Sequence, residues 1–125
     1  MPRVTAVDPA TATGEVKDLL DGVRAMLGMT PNMALTMAVS HGALEGWIEL
    51  SRALAPTLDR RLAERIAIVT AEENGCYCLS AHTAGGRALG IDDDELAASR
   101  DGASSHPEIA AALRFAQAVN ATPAA

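Results

Sequence analysis

Aromatic side chains are nearly absent from this chain: Trp47, Tyr77 and Phe115 are the whole set in 125 residues. A β-sandwich or barrel would want many aromatic and β-branched residues in alternation, and no such pattern is present. Bases are outnumbered, ten against sixteen acids, for a net charge of -6. With no basic stripe and no interleaved aromatics, nucleic-acid binding is not expected. No apolar run approaches the ~18 residues of a membrane-spanning helix, so no membrane partner is expected. The first eight residues lack a charged-then-apolar signal pattern, which makes the cytoplasm the expected location. Cysteine is scarce too. Cys76 and Cys78 are the only two, and a secretory disulfide framework would spread its cysteines to close long loops.

What the chain does have is alanine, 26 residues, and leucine, 13. Both lose little side-chain entropy in a helix, and apolar residues make up 49% of the sequence. An all-α fold in a single domain over residues 1–125 is therefore expected. The pattern predicts helices over Thr13–Leu27, ended by Gly28, then Met33–Val39 after the Pro31-Asn32 turn, and Gly42–Ala55, ended by Pro56. Asp59 should cap a fourth, Arg60–Asn74. A fifth should start near Cys76 and end at Gly90. Asp92 with Glu95, and Ser105 with Glu108, read as capping boxes for a sixth and seventh.

In the fourth helix, six consecutive positions from Ile66 to Ala71 carry no charge. At ~100° per residue they reach every side of the cylinder, so the helix should be buried all round. Glu64 lies one turn before Ile68, at the edge of that stretch. It reads either as an acid with a raised pKa or as an ion-pair partner of Arg60 or Arg61.

Chemistry concentrates between Glu72 and His82. Asn74-Gly75 is a strong helix stop, which puts the cysteines at the start of the next helix. There the free N–H groups and the helix dipole favour a thiolate. His82 follows Cys78 by four residues, about 40° around the helix, so the two share a face. Imidazole is suited to taking a thiol proton near neutral pH. A primed thiol, a nearby base and a second thiol are the parts of a thiol peroxidase or disulfide reductase. Two other readings stand beside it. The cysteines could be small buried apolar residues, or Cys76, Cys78 and His82 could hold zinc with Glu64 or Glu72. His41 and His106 read as surface or cap residues.

These residues resemble the AhpD-like family, also called the carboxymuconolactone decarboxylase-like family. Its redox-active members carry Glu, eleven residues, Cys-x-x-Cys, three residues and His. Here eleven residues separate Glu64 from Cys76, and three separate Cys78 from His82. The runs Ala71 to Cys76, Cys78 to Thr83, Thr30-Pro31-Asn32-Met33 and Leu58-Asp59 followed by Arg61 to Glu64 are similar to the family as well. The likeness spans about residues 20 to 120.

The resemblance implies an oligomer-forming, all-helical fold of about six to seven helices and alkylhydroperoxidase activity, an oxidoreductase reaction needing no metal or other cofactor. It implies Cys78 as the attacking thiol, Cys76 as the resolving thiol, His82 as the base on Cys78 and Glu64 as the end of the proton relay. The substrate would be a hydroperoxide. The reductant would be an external dithiol, lipoyl-bearing in the best-known members. Two alternatives share the fold: a cofactor-free lyase of the carboxymuconolactone decarboxylase type, with Glu64 and His82 as acid and base, and a non-enzymatic helical oligomerisation module. The chain departs from the family by one residue, since Tyr77 alone separates the cysteines. On a regular helix residues i and i+2 point about 200° apart, so a bridge requires Cys76 to precede the helix. A disulfide across so small a ring is expected to be easily reduced. Members usually continue with further helices beyond the region of Val119, so either a smaller oligomer interface or a neighbouring subunit covering what those helices would cover is expected here.

Overall fold

A computed structural model describes residues 3–122. Among them are seven α-helices and no strand. The chain divides into two compact units, one up to Pro56 and one from Thr57 onward.

The first unit is built by α1 (Gly14–Leu27), α2 (Asn32–Met37) and α3 (His41–Leu54). Its core is wholly apolar: Leu20 and Val23 of α1, Ala34 and Ala38 around α2, and Leu44 and Ile48 of α3. These recur at helical spacing, so each helix turns one stripe inward. Trp47, Leu19 and Val16 close the edge of the cluster. Gly28, at φ +76°, ends α1 and returns its N–H to the Arg24 carbonyl at 2.8 Å. Ser40 opens α3 by accepting the Ala43 N–H. Pro56 does not stop the chain outright; Ala55–Thr57 form a 3-10 turn.

The second unit is organised around α4 (Arg60–Glu73), against which α5 (Leu79–Ala88), α6 (Asp93–Arg100) and α7 (Pro107–Ala121) all pack. Asp59 caps α4 as expected, accepting the Leu62 N–H at 3.1 Å. The helix is not buried all round within this chain. Arg65, Ile68, Val69 and Ala71 are buried, but Ile66, Ala67 and Thr70 are half-buried. Its three neighbours leave one strip open, where Ile66 and Thr70 line a groove with Leu58, Phe115 and Val119. Absence of charge marked the helix as coverable; it did not mark which side this chain covers.

Three helix ends of this unit close in one way, with two backbone hydrogen bonds folding back over a left-handed glycine. At the end of α4 the Gly75 N–H reaches the Glu72 carbonyl and the Cys76 N–H reaches Ala71 at 2.9 Å. Gly90 and Gly102 do the same for α5 and α6. Two predicted helix starts are corrected. The fifth helix begins at Leu79, not near Cys76, because the closure at Gly75 commits the Cys76 amide to the end of α4. The seventh begins at Pro107, after His106, so Ser105 and Glu108 form no capping box. Proline at the first helical position has no N–H to satisfy, and the Ser105 N–H is taken by Glu95 Oε1 at 2.7 Å.

Glu95 is the hub of a polar network. Asp92 caps α6 through the Glu95 N–H. The Glu95 carboxylate accepts from Arg65, Ser104 and Ser105. Arg65 is buried, and its Nε donates to the buried Ser99 hydroxyl at 2.8 Å. Donors from Ser105 foremost, then Ser104, with Arg65 also contributing, hold the Glu95 carboxyl well below the usual carboxylate range.

Candidate active site

The cysteines lie where two helix ends meet. Cys76 is the second residue past the cap of α4, with its amide bound to Ala71. Cys78 is the N-cap residue of α5. Neither is inside a helix, which resolves the geometric difficulty of a one-residue spacing. The two are joined as a disulfide, with Cα atoms 5.2 Å apart. The Cys78 N–H also points at Cys76 Sγ, at 3.2 Å. Tyr77 occupies the tip of the turn, strongly exposed, while both cysteines are half-buried.

His82 sits one turn into α5, and its backbone N–H makes the first bond of the helix with the Cys78 carbonyl, 3.1 Å. The same turn therefore fixes the second cysteine and the imidazole relative to one another. Across from it on α4 is Glu64. Its Oε2 lies 2.9 Å from His82 Nδ1. A carboxylate can only accept, so Nδ1 carries the proton and Nε2 is the basic nitrogen of the neutral ring. The hydrogen bond to Glu64 raises the His82 pKa above its ordinary value, against the opposing effect of partial burial. Both side chains remain about a third exposed, so solvent screens the pair.

Glu64 thus faces His82, neither of the arginines considered from spacing. Arg61 instead donates to the Gly90 carbonyl at 2.9 Å. Glu72 is taken by Arg100, which lowers its pKa. Among the described residues no group of three or more His, Cys, Asp or Glu side chains is arranged to hold a metal ion. His106 stands at the N-cap position of α7, and His41 lies near Glu15 and Glu45 at 3.6 and 3.8 Å. The cavity beside Arg61, Arg65, Glu95 and His106 shares no lining residue with the cysteine segment. No helix among the described residues is long and apolar enough to cross a membrane.

Spacing left two residues unnoticed. Arg65 carries charge on the face that also presents Ile68 and Val69, a signal for a buried ion pair, but its partner Glu95 is thirty positions away. Gly85 lies one turn beyond His82 against the Glu64 carboxyl group, and nothing local announces that approach.

A family model matches residues 41–121, under the description carboxymuconolactone decarboxylase family. The chain belongs to the carboxymuconolactone decarboxylase family. That family includes the AhpD-like proteins, and the match runs from the start of α3 to the end of α7. No curated protein and no solved structure matches the chain.

Proposed function

We propose that this protein is an AhpD-like thiol peroxidase, an oxidoreductase that reduces hydroperoxides through Cys78 and Cys76. The observation that carries the reading is the linked cysteine pair at the start of the helix that bears His82, itself paired with Glu64. His82 Nε2 draws the proton from Cys78, and Glu64 stabilises the imidazolium. The thiolate attacks one peroxide oxygen; an S–O bond forms, the O–O bond breaks, and the departing alkoxide takes a proton to leave as an alcohol. Cys78 is then a sulfenic acid. The Cys76 thiolate attacks its sulfur, forming the S–S bond and expelling the oxygen as water. Two exchange steps with an external dithiol, lipoyl-bearing or otherwise, return both thiols and oxidise the donor to a disulfide.

Membership in the family supports a lyase reading equally, with Glu64 and His82 as acid and base and no role for sulfur. The cysteine pair favours the peroxidase. Self-association in the cytoplasm belongs to the same proposal, supported for the association by exposed Leu58, Phe115 and Val119 along the α4 groove. Sedimentation equilibrium tests it, and a monomer at all concentrations removes it.

The deciding experiment treats the reduced protein with an alkyl hydroperoxide and weighs the product. Loss of two hydrogens, with both thiols gone, is expected. Unchanged thiols defeat the reading, and a single added oxygen on Cys78 defeats the resolving role of Cys76. Replacing both cysteines should abolish peroxide turnover, whereas a lyase would survive it.

A further inference from the structure

Glu64 approaches α5 at two points. One is the His82 ring, at 2.9 Å. The other is Gly85, three residues further along the same helix. A Cβ built on Gly85 would stand 3.2 Å from both Glu64 Cδ and Oε2 and 3.3 Å from Oε1. That is closer than ordinary van der Waals contact, and all three atoms belong to the carboxyl group itself. Glycine is an unfavourable residue in the interior of a helix. Here it stands where any side chain would press on the acid that binds the imidazole. Its neighbour Gly86 faces elsewhere, with its Cβ position 2.7 Å from Leu96 Cδ2, so the packing of α5 on α6 is a separate matter.

We propose that Gly85 is a positioning residue for the Glu64–His82 pair: its bare backbone leaves the space in which the Glu64 carboxyl group lies while it accepts from His82 Nδ1. The proposal deepens the peroxidase reading and rests on its assignment of His82 as the base. Gly85 touches no reacting atom. It acts through Glu64, by letting α4 and α5 come close enough for the hydrogen bond to His82. A methyl group there displaces the carboxyl group by a few tenths of an ångström or turns it away. Either movement weakens the bond to Nδ1, and His82 becomes a weaker base.

The test is an NMR titration of the His82 ring in the oxidised protein, where no thiol titrates. Gly85→Ala should lower the His82 midpoint toward the ordinary imidazole value of ~6.5. Glu64→Ala should lower it at least as far. In the Glu64→Ala background, Gly85→Ala should cause no further change, because the group it displaces is gone. Gly22→Ala is the control. It places a methyl in α1 with nothing within 4 Å and should leave His82 unmoved.

An unchanged midpoint in Gly85→Ala overturns the proposal. So does an equal drop with and without Glu64, which would assign the effect to the helix itself. If Gly85→Ala does not fold, the double variant decides: recovery of the fold on removing Glu64 supports the collision, and continued unfolding overturns it. The readout needs no turnover. Failure of peroxide to consume the thiols, beside an intact titration pattern, defeats the peroxidase reading alone. The reverse pair of results defeats only the role of Gly85.

Discussion

The two units of this chain hold themselves together by different means. Up to Pro56, three helices bury one apolar cluster, from Leu20 to Ile48, with no charged member. From Thr57 onward the clustered core is smaller, centred on Ile68, Ile91 and Leu96, and a buried arginine lies within the same fold. Val69, Ala71, Ala110 and Leu113 are buried there too, and Arg65, Glu95, Ser99, Ser104 and Ser105 add to this packing directed bonds between α4, α6 and the segment leading into α7. Apolar burial is tolerant of direction and indifferent to protons. A charged network is neither. The unit that carries the candidate chemistry is thus the one whose integrity depends on particular groups keeping particular charges.

The largest break in this contrast should come from Glu95→Ala. It leaves Arg65 charged, buried and short of its main partner, a loss of about 3–5 kcal/mol that urea unfolding followed in the second unit would read. Leu44→Ala is the counterpart in the first unit. Leu44 is fully buried, and the cavity costs about 2–5 kcal/mol, with little change in that cost between pH 4 and 7.

Acid should separate the units next. The Glu95 pKa is depressed in the folded chain. Its stabilisation is complete above the unfolded value of ~4.3 and is lost as pH falls below it toward the folded value. Amide exchange at falling pH should therefore expose α6 and the start of α7 before α1 and α3. Simultaneous exposure would contradict this account.

His82 gives a smaller effect of opposite sign. Its pKa is raised on folding, so the stabilisation is complete below ~6.5 and disappears as pH rises through the folded value. Glu64→Gln should return the ring midpoint toward ~6.5 and flatten that part of the stability profile. The smallest change is a gain: Gly22→Ala, with open space around the new methyl, should stabilise α1 by about 0.5–1 kcal/mol. A loss there would mean that the first unit packs less simply than its apolar cluster indicates.

Much of the helical framework could be read from neighbouring residues. Asp59, Gly28, Asn74-Gly75 and Asp92 act within a few positions, because caps and closures satisfy backbone groups locally. Glu64, Cys76, Cys78 and His82 were nameable because the spacing of the segment is visible in one dimension. The bond between Glu64 and His82 crosses eighteen positions, and neither residue's local sequence chooses it over Arg60 or Arg61. Arg65 with Glu95, and Glu64 with Gly85, depend likewise on which helices lie side by side. The start of α7 was misread because Pro107 and the distant Glu95 together displaced Ser105 from its local role.

Cys76 belongs to the end of α4, and Cys78 to the beginning of α5. The link between their sulfurs is therefore also a clasp between two rods, with Tyr77 exposed at the turn beside it. On the proposed peroxidase reading, reduction would open the clasp, leaving the bond from the Leu79 N–H to the Cys76 carbonyl to span the turn. Each turn of the proposed peroxide cycle would then begin and end with the same small change in how tightly two helices are hitched together.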